Sequence, residues 1–211
     1  MFDIYDFNLG FLWKPTNELT IGGVLKTPFK ADIEHEARIA IISNVFTPEI
    51  KNSADSQKNN MPMSFGLGFA YRFSDHLTVS TDIYHTQWQN FYREDAHGER
   101  FSPITAKKYE TSDIKPVWQV RTGMEYLHIT PEYFIPFRGG LFYDPDPAEG
   151  KPDDFWGFSL GSGIGLKKYF FDFAYQFRFG KNIGTSVLQD FGFSQNVYEH
   201  LFYMSLICHY L

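Results

Sequence analysis

Along most of this 211-residue chain the apolar residues fall at every second position, and they are large. In residues 62–73, Met63, Phe65, Leu67, Phe69, Tyr71 and Phe73 share one parity, while Ser64, Gly66, Gly68, Ala70 and Arg72 share the other. Residues 156–167 set Trp156, Phe158, Leu160, Ser162, Ile164 and Leu166 against Gly157, Ser159, Gly161, Gly163, Gly165 and Lys167. Phe171, Phe173, Tyr175, Phe177 and Phe179 alternate with Asp172, Ala174, Gln176 and Arg178, and Trp118, Val120, Thr122, Met124 and Tyr126 alternate with Gln119, Arg121, Gly123 and Glu125. A period of two is the signature of strands with one apolar and one polar face. Less regular strands are expected over 3–14, 18–34, 76–92, 131–143 and 198–211, which makes nine.

The alternation excludes several classes. No run approaches the roughly 18 apolar residues of a membrane-spanning helix, and aromatic residues at 19% with 21% charged residues do not describe a disordered chain. A net charge of −6 argues against a nucleic-acid partner, which calls for a basic face. The single cysteine, Cys208, rules out a disulfide framework and a cysteine-based zinc site, and no cofactor is implied. Met1–Asp6 has neither a basic n-region nor an apolar core, so it reads as part of a strand rather than a signal peptide.

The connections alternate in length. Short ones fall at Pro15-Thr16-Asn17, Ser74-Asp75, Thr130-Pro131 and Lys167-Lys168; long ones run over 44–61, 93–114, 144–154 and 180–197. Short turns interleaved with long polar loops describe an antiparallel up-and-down transmembrane β-barrel of the outer-membrane kind, with short turns on the periplasmic side. A soluble sandwich or lipocalin-like barrel is the competing fold. Five or six large apolar residues per strand overfill a small interior, the opposite faces carry glycine and isolated charges, and aromatics recur near strand ends (Trp13, Phe73, Trp118, Tyr126, Tyr143, Trp156, Phe179, Tyr210), where interfacial girdles belong. All three favour the membrane. Bacterial single-chain barrels have even strand numbers, so nine strands are expected to be the C-terminal part of a larger barrel.

Particular segments carry a family likeness. Asn8-Leu9-Gly10-Phe11-Leu12-Trp13-Lys14-Pro15, then Leu19-Thr20-Ile21-Gly22-Gly23-Val24 and Thr27-Pro28, resembles the FadL/TodX family of outer-membrane hydrophobic-compound transporters. So do Met61-Pro62 leading into Gly66–Asp75, Asp82-Ile83-Tyr84, Thr86-Gln87-Trp88, Arg121–Tyr126, Ile135–Gly140 and Tyr143–Pro147, closing with Gly161, Gly163, Gly165 and Asp172–Gln176. The likeness extends over essentially the whole chain and implies a 14-stranded barrel with an N-terminal hatch, of which this sequence would supply the last nine strands. It implies passive transport of long-chain fatty acids or aromatic hydrocarbons, an outer-membrane location among lipid, and a monomer. The end of the chain departs from the usual terminal aromatic, since Leu211 follows Tyr210.

On the expected lumen face stand Arg72, Arg121, Arg138 and Arg178 with Asp82, Glu125, Glu132 and Asp172. An arginine fork suits a fatty-acid carboxylate, and Arg121 and Arg138, on adjacent strands in the most family-like stretch, are the candidates. With both signs equally represented, an ion-pair network of Arg72, Asp82, Glu125, Asp172 and Arg178 that braces the wall is the simpler role. Trp88, Tyr84 and Phe134 share the lumen parity and are candidate liners of an apolar ligand pocket. The lumen glycines 157, 161, 163 and 165 would leave room for a plug or a ligand. Ile39–Ile42 to Val45-Phe46 is a candidate external landing site, and Asp144, Asp146, Asp153 and Asp154 form an acidic loop whose spacing fits no calcium loop. An outer-membrane lipid hydrolase is the rival function; it needs a serine activated by histidine, but His85 falls on the lipid parity. A structural or adhesin barrel is the third reading.

Overall fold

The computed structural model describes residues 6–41, 49–184 and 193–208, with side chains outside 35–55. Thirteen strands are present: β1 (Asn8–Trp13), β2 (Leu19–Lys26), β3 (Phe29–Ile41), β4 (Glu49–Met61), β5 (Ser64–Arg72), β6 (Leu77–Thr86), β7 (Tyr92–Glu94), β8 (Arg100–Phe101), β9 (Val117–Ile129), β10 (Phe134–Tyr143), β11 (Phe155–Gly165), β12 (Tyr169–Ile183) and β13 (Gln195–Cys208). Nine of them, in the order β1-β2-β5-β6-β9-β10-β11-β12-β13, form one antiparallel sheet in which each strand pairs with the next of the set along the chain. This is the expected nine-stranded meander. The sheet is not closed, and among the described residues the outer edges of β1 and β13 are unpaired.

The other four strands form a second sheet, β3-β4-β7-β8, inside the long connections. Here the expectation needs correction. Residues 18–34 are two strands, because Pro28, with no N–H to give a ladder, ends β2 and lets β3 leave the wall. Residues 49–61, expected as loop, pair with β3 over its whole length, from Phe29 opposite Met61 to Ile41 opposite Glu49. Their polar composition hid a strand that needs no buried face. The strand expected over 76–92 ends at Thr86, and a 3-10 turn at Trp88–Asn90 follows.

Register fixes which residues share a face. One hydrogen-bonded row runs Gly68, Asp82, Arg121, Phe142, Gly157, Arg178, Glu199 across seven strands. The next runs Ala70, Ser80, Gly123, Gly140, Ser159, Gln176, and the one beyond it Arg72, Thr78, Glu125, Arg138, Gly161, Ala174. All belong to the polar face. The other face carries Leu67, Phe69, Met124, Leu141, Leu160, Phe173, Phe202 and Met204, each at least two-fifths exposed. Aromatics gather at its two ends: Tyr71 against Phe73 and Tyr126 near His76 at the short turns, Tyr143 against Trp156 with Trp118 at the long loops. From Tyr126 to Trp118 the strand runs about 26 Å at ~3.3 Å per residue, which at a barrel strand's usual tilt of about 40° corresponds to a height of roughly 20 Å.

The location of buried apolar residues separates this sheet from a soluble sandwich. Among the described residues they are Ile114, Val117, Ala148, Phe155 and Ile183 at the long-loop end, with Pro136 beside a short turn. The wall between the aromatic belts has no apolar core of its own. An exposed apolar face this extensive marks a surface that meets another apolar phase, protein or membrane, rather than water.

Candidate functional site

Between β6 and β12 the polar face of the sheet borders an open hollow of about 610 Å³. Its floor is made of the small residues Ser80, Gly123, Gly140 and Ser159; Phe142, Arg121, Asp82 and Asp144 stand on the loop side, and Glu125 and Arg138 on the turn side. Arg121 and Arg138 therefore line one cavity from neighbouring strands, as their parity predicts.

Each arginine already has partners. Arg138 Nε donates to Glu125 Oε2 at 2.6 Å and its Nη1 to Asp172 Oδ1 at 2.6 Å, so one guanidinium ties β9, β10 and β12 together. Arg121 Nη2 donates to Asp144 Oδ2 at 3.1 Å, and the Gln119 amide donates to the other oxygen of that carboxylate. Arg178 donates to Asp146 Oδ1 at 2.8 Å, to Glu199 Oε2 at 3.3 Å and to the Asp144 carbonyl at 3.3 Å, while its guanidinium lies 3.5 Å from the Phe155 ring centre. Charge-assisted bonds of this kind are the strong ones.

Other sequence candidates lie elsewhere. Arg72 pairs with Asp75 across a short turn and is exposed, at the far end of the wall from Arg178. Asp82 faces Arg121 in register, but that guanidinium reaches the loop, and Asp82 has no hydrogen bond or ion pair among the described residues. Glu132, expected on the lumen face, sits in the short turn before β10. Tyr84 lies over Gly66, its hydroxyl 2.7 Å from Ser64 Oγ and its ring 5.9 Å from Lys26 Nζ. Phe134 stacks on Phe170 at 5.5 Å beside the turns, outside the cavity. Trp88 is off the wall, in the 3-10 turn against Phe91 at 5.6 Å. The three aromatics thus form no common pocket. The landing-site stretch from Ile39 to Phe46 lies outside the described side chains.

The lumen glycines have a different use from the one their spacing suggests. A Cβ at Gly157 would enter the Phe142 ring, one at Gly165 the Phe134 ring, and one at Gly163 would stand 2.6 Å from Asp172 Oδ1. These glycines accommodate side chains of adjacent strands. At Gly123 and Gly161 a Cβ would meet nothing nearer than 3.4 Å, so these two border open lumen.

The acidic loop is a fastening. Asp146 and Asp153 pair across it with N–H···O distances of 3.0 and 2.9 Å, Asp153 Oδ2 accepts the Gly184 N–H at 2.9 Å, and Asp154 accepts Lys151 at 2.6 Å and the Tyr143 hydroxyl at 2.5 Å. Glu149 takes Lys107 at 3.2 Å, and the Gly150 N–H reaches the Asp113 carbonyl at 2.8 Å. Burial pushes the Asp146 carboxyl above its ordinary value despite Arg178, whereas the Lys151 ammonium and the Tyr143 hydroxyl hold Asp154 below its own. The partners in other segments, Gly184, Lys107 and Asp113, were not legible in the sequence, whereas Lys151 and Asp154 stand three residues apart in the one loop.

His85 keeps the outer-face parity, packed between Phe65 and Trp118 at 5.0 and 4.2 Å, with Nδ1 3.1 Å from the Val117 carbonyl. Those contacts give it no hydroxyl to activate.

The open antiparallel wall is apolar on one face between two aromatic belts and polar on the other around an ion-paired cavity, and its fold is all-β and antiparallel. Two solved structures share it: the CymD monoaromatic hydrocarbon channel, with a TM-score of 0.54, 19% identity, and coverage of 82% of this chain and 46% of that one, and the toluene transporter TodX of Pseudomonas putida, with a TM-score of 0.51, 17% identity, and coverage of 81% and 42%. The chain spans less than half the length of either. No family model and no curated protein matches the sequence. The likeness establishes the fold, all-β and antiparallel, that the sequence resemblance implies.

Proposed function

We propose that this chain is the larger part of the wall of a passive outer-membrane channel for hydrophobic compounds, with no chemistry performed on them. The observation that carries the reading is the division of the sheet's two faces: an apolar outer face without a core of its own, and a polar inner face hollowed into a cavity about 610 Å³ in volume. That the two solved structures of the same fold are a monoaromatic hydrocarbon channel and a toluene transporter supports it. The unpaired edges of β1 and β13 support further strands, fourteen in all, since each unsatisfied backbone group in hydrocarbon costs several kcal/mol. The closed barrel would act as a monomer surrounded by outer-membrane lipid. Affinity for cargo, a long-chain fatty acid or an aromatic hydrocarbon, would come from buried apolar area, roughly 0.8 kcal/mol per methylene.

The test fills the cavity. In cells carrying the complete gene product, Gly123→Trp and Ser159→Phe should each cut protein-dependent uptake of radiolabelled toluene or decanol at least fivefold, with the heat-modifiable barrel band unchanged on gels. Undiminished uptake through both correctly assembled variants would rule out this lumen as the route.

A further inference from the structure

The charge around the lumen cavity is unbalanced. Of the residues that line it, two are guanidinium groups, Arg121 and Arg138, and three are carboxylates, Asp82, Glu125 and Asp144; Asp172, which pairs with Arg138, and Arg178 with its partners Asp146 and Glu199 stand outside the lining. Arg138 is held by two carboxylates at 2.6 Å each and Arg178 by two at 2.8 and 3.3 Å, while Arg121 is taken by Asp144 at 3.1 Å. Of the other cations on this face, Arg72 pairs with Asp75 at a turn and Lys26 is turned toward the Tyr84 ring. Asp82 alone of the six carboxylates has no partner among the described residues. It lines the cavity opposite Arg121, with its carboxylate lying over the bare backbone of Gly68.

A carboxylate entering this cavity would have to share a guanidinium with a carboxylate already bound to it, and it would do so beside Asp82, whose charge no cation of the lining pairs. A neutral molecule meets neither obstacle. An ammonium finds Asp82 free to receive it. We propose that the lumen cavity selects its cargo by charge, admitting neutral and cationic apolar compounds and excluding carboxylates, with Asp82 as the specificity-determining residue. The proposal rests on the transport reading above and narrows its cargo: of the two substrate classes, the fatty acid is the one excluded. Arg121 and Arg138 then act as braces rather than as carboxylate receptors.

Three labelled compounds with the same ten-carbon chain separate the cases: decanol, decylamine and decanoate, offered at pH 7 and low salt to cells with and without the complete gene product. Protein-dependent uptake of decanol and decylamine is expected, with decanoate at least about tenfold slower. Asp82→Asn and Asp82→Ser should each raise decanoate uptake relative to decanol by about three- to tenfold, the scale for one unit charge some 5 Å away across a water-filled lumen. Added salt should narrow the difference in the parent protein. If decanoate enters as fast as decanol, or if both Asp82 variants assemble normally and leave the ratio unchanged, charge selection is wrong while transport stands. If decanol itself shows no protein-dependent uptake, the transport reading falls, and this proposal with it.

Discussion

The two ends of the wall are held together differently. In β1, β2 and β5 the polar face offers Asn8, Gly10, Leu12, Thr20, Gly22, Val24, Gly66, Gly68 and Ala70, and the one ion pair there among the described residues is Arg72 with Asp75, at a turn. From β9 to β13, three arginines cross-link five carboxylates over four strands and a loop, and that loop is bolted to its neighbours by Asp146, Glu149, Asp153 and Asp154. Both ends share the same backbone ladder and the same apolar outer face. The later strands carry their own bracing, whereas the earlier ones expose a bare inner surface and end at β1, only six residues long. That early stretch depends most on whatever packs inside and pairs alongside.

What the two ends have in common should give the largest effect. Leu160→Arg and Leu67→Arg each place a charge in the apolar band, at a cost of about 2–4 kcal/mol in lipid, whereas Gln176→Arg on the inner face should change unfolding in bilayers far less. A harmless Leu67→Arg would take the early strands out of the membrane and end the comparison. Arg138→Met should come next. It leaves Glu125 and Asp172 facing one another unpaired, and since all three are a quarter to a third exposed, about 2 kcal/mol is expected rather than the 3–5 of a fully buried pair. Gly22→Ala, which adds a methyl in ordinary contact with Leu12, should stay within about 0.5 kcal/mol. Equal losses at Arg138 and Gly22, in urea titrations of the refolded barrel, would erase the distinction between braced and bare wall.

The smallest effect concerns the loop. The Asp154 carboxyl is held below its ordinary value by Lys151 and Tyr143. Its contribution is therefore present above the unfolded carboxylate range and lost as pH falls through the lowered value. Limited proteolysis of loop 144–154 should accelerate on acidification below about pH 4, and Asp154→Asn should be cut readily at every pH. A parent loop indifferent to acid would make this fastening ornamental.

The wall itself was legible because a strand with one apolar and one polar face repeats its chemistry every two residues, and nothing in the loops can mask that. Four strands and the inner-face positions of Arg121, Arg138 and Arg178 follow from parity alone, while the other five alternate less cleanly. Parity fails where the chain leaves the wall: Trp88 kept its phase by counting but lies beyond the end of β6, and Glu132 beyond the start of β10. The hairpin of β3 and β4 was half missed because neither strand needs a buried face, so residues 49–61 show no apolar alternation. Partnership was the least visible. That Arg121 reaches Asp144 and leaves Asp82 alone depends on a loop folding back over the wall, and no spacing in the sequence records it.

The rings laid across glycines on the inner face carry a consequence for the bore. Phe142 rests on Gly157, Phe134 on Gly165 and Tyr84 on Gly66, so each aromatic lies flat along its neighbour strand instead of pointing at the axis. A tally of inner-face aromatics therefore overstates how far the passage is narrowed. Each ring is inlaid at the thickness of the wall, and the aperture is set by the side chains that stand upright, the arginines and their acids. It follows that such a pair can drift only in concert: enlarging the glycine alone would lever its ring into the passage and constrict it, and trimming the ring alone would leave a dent in the lining. An outward change of a few atoms in the wall would then be felt as a change in what fits through it.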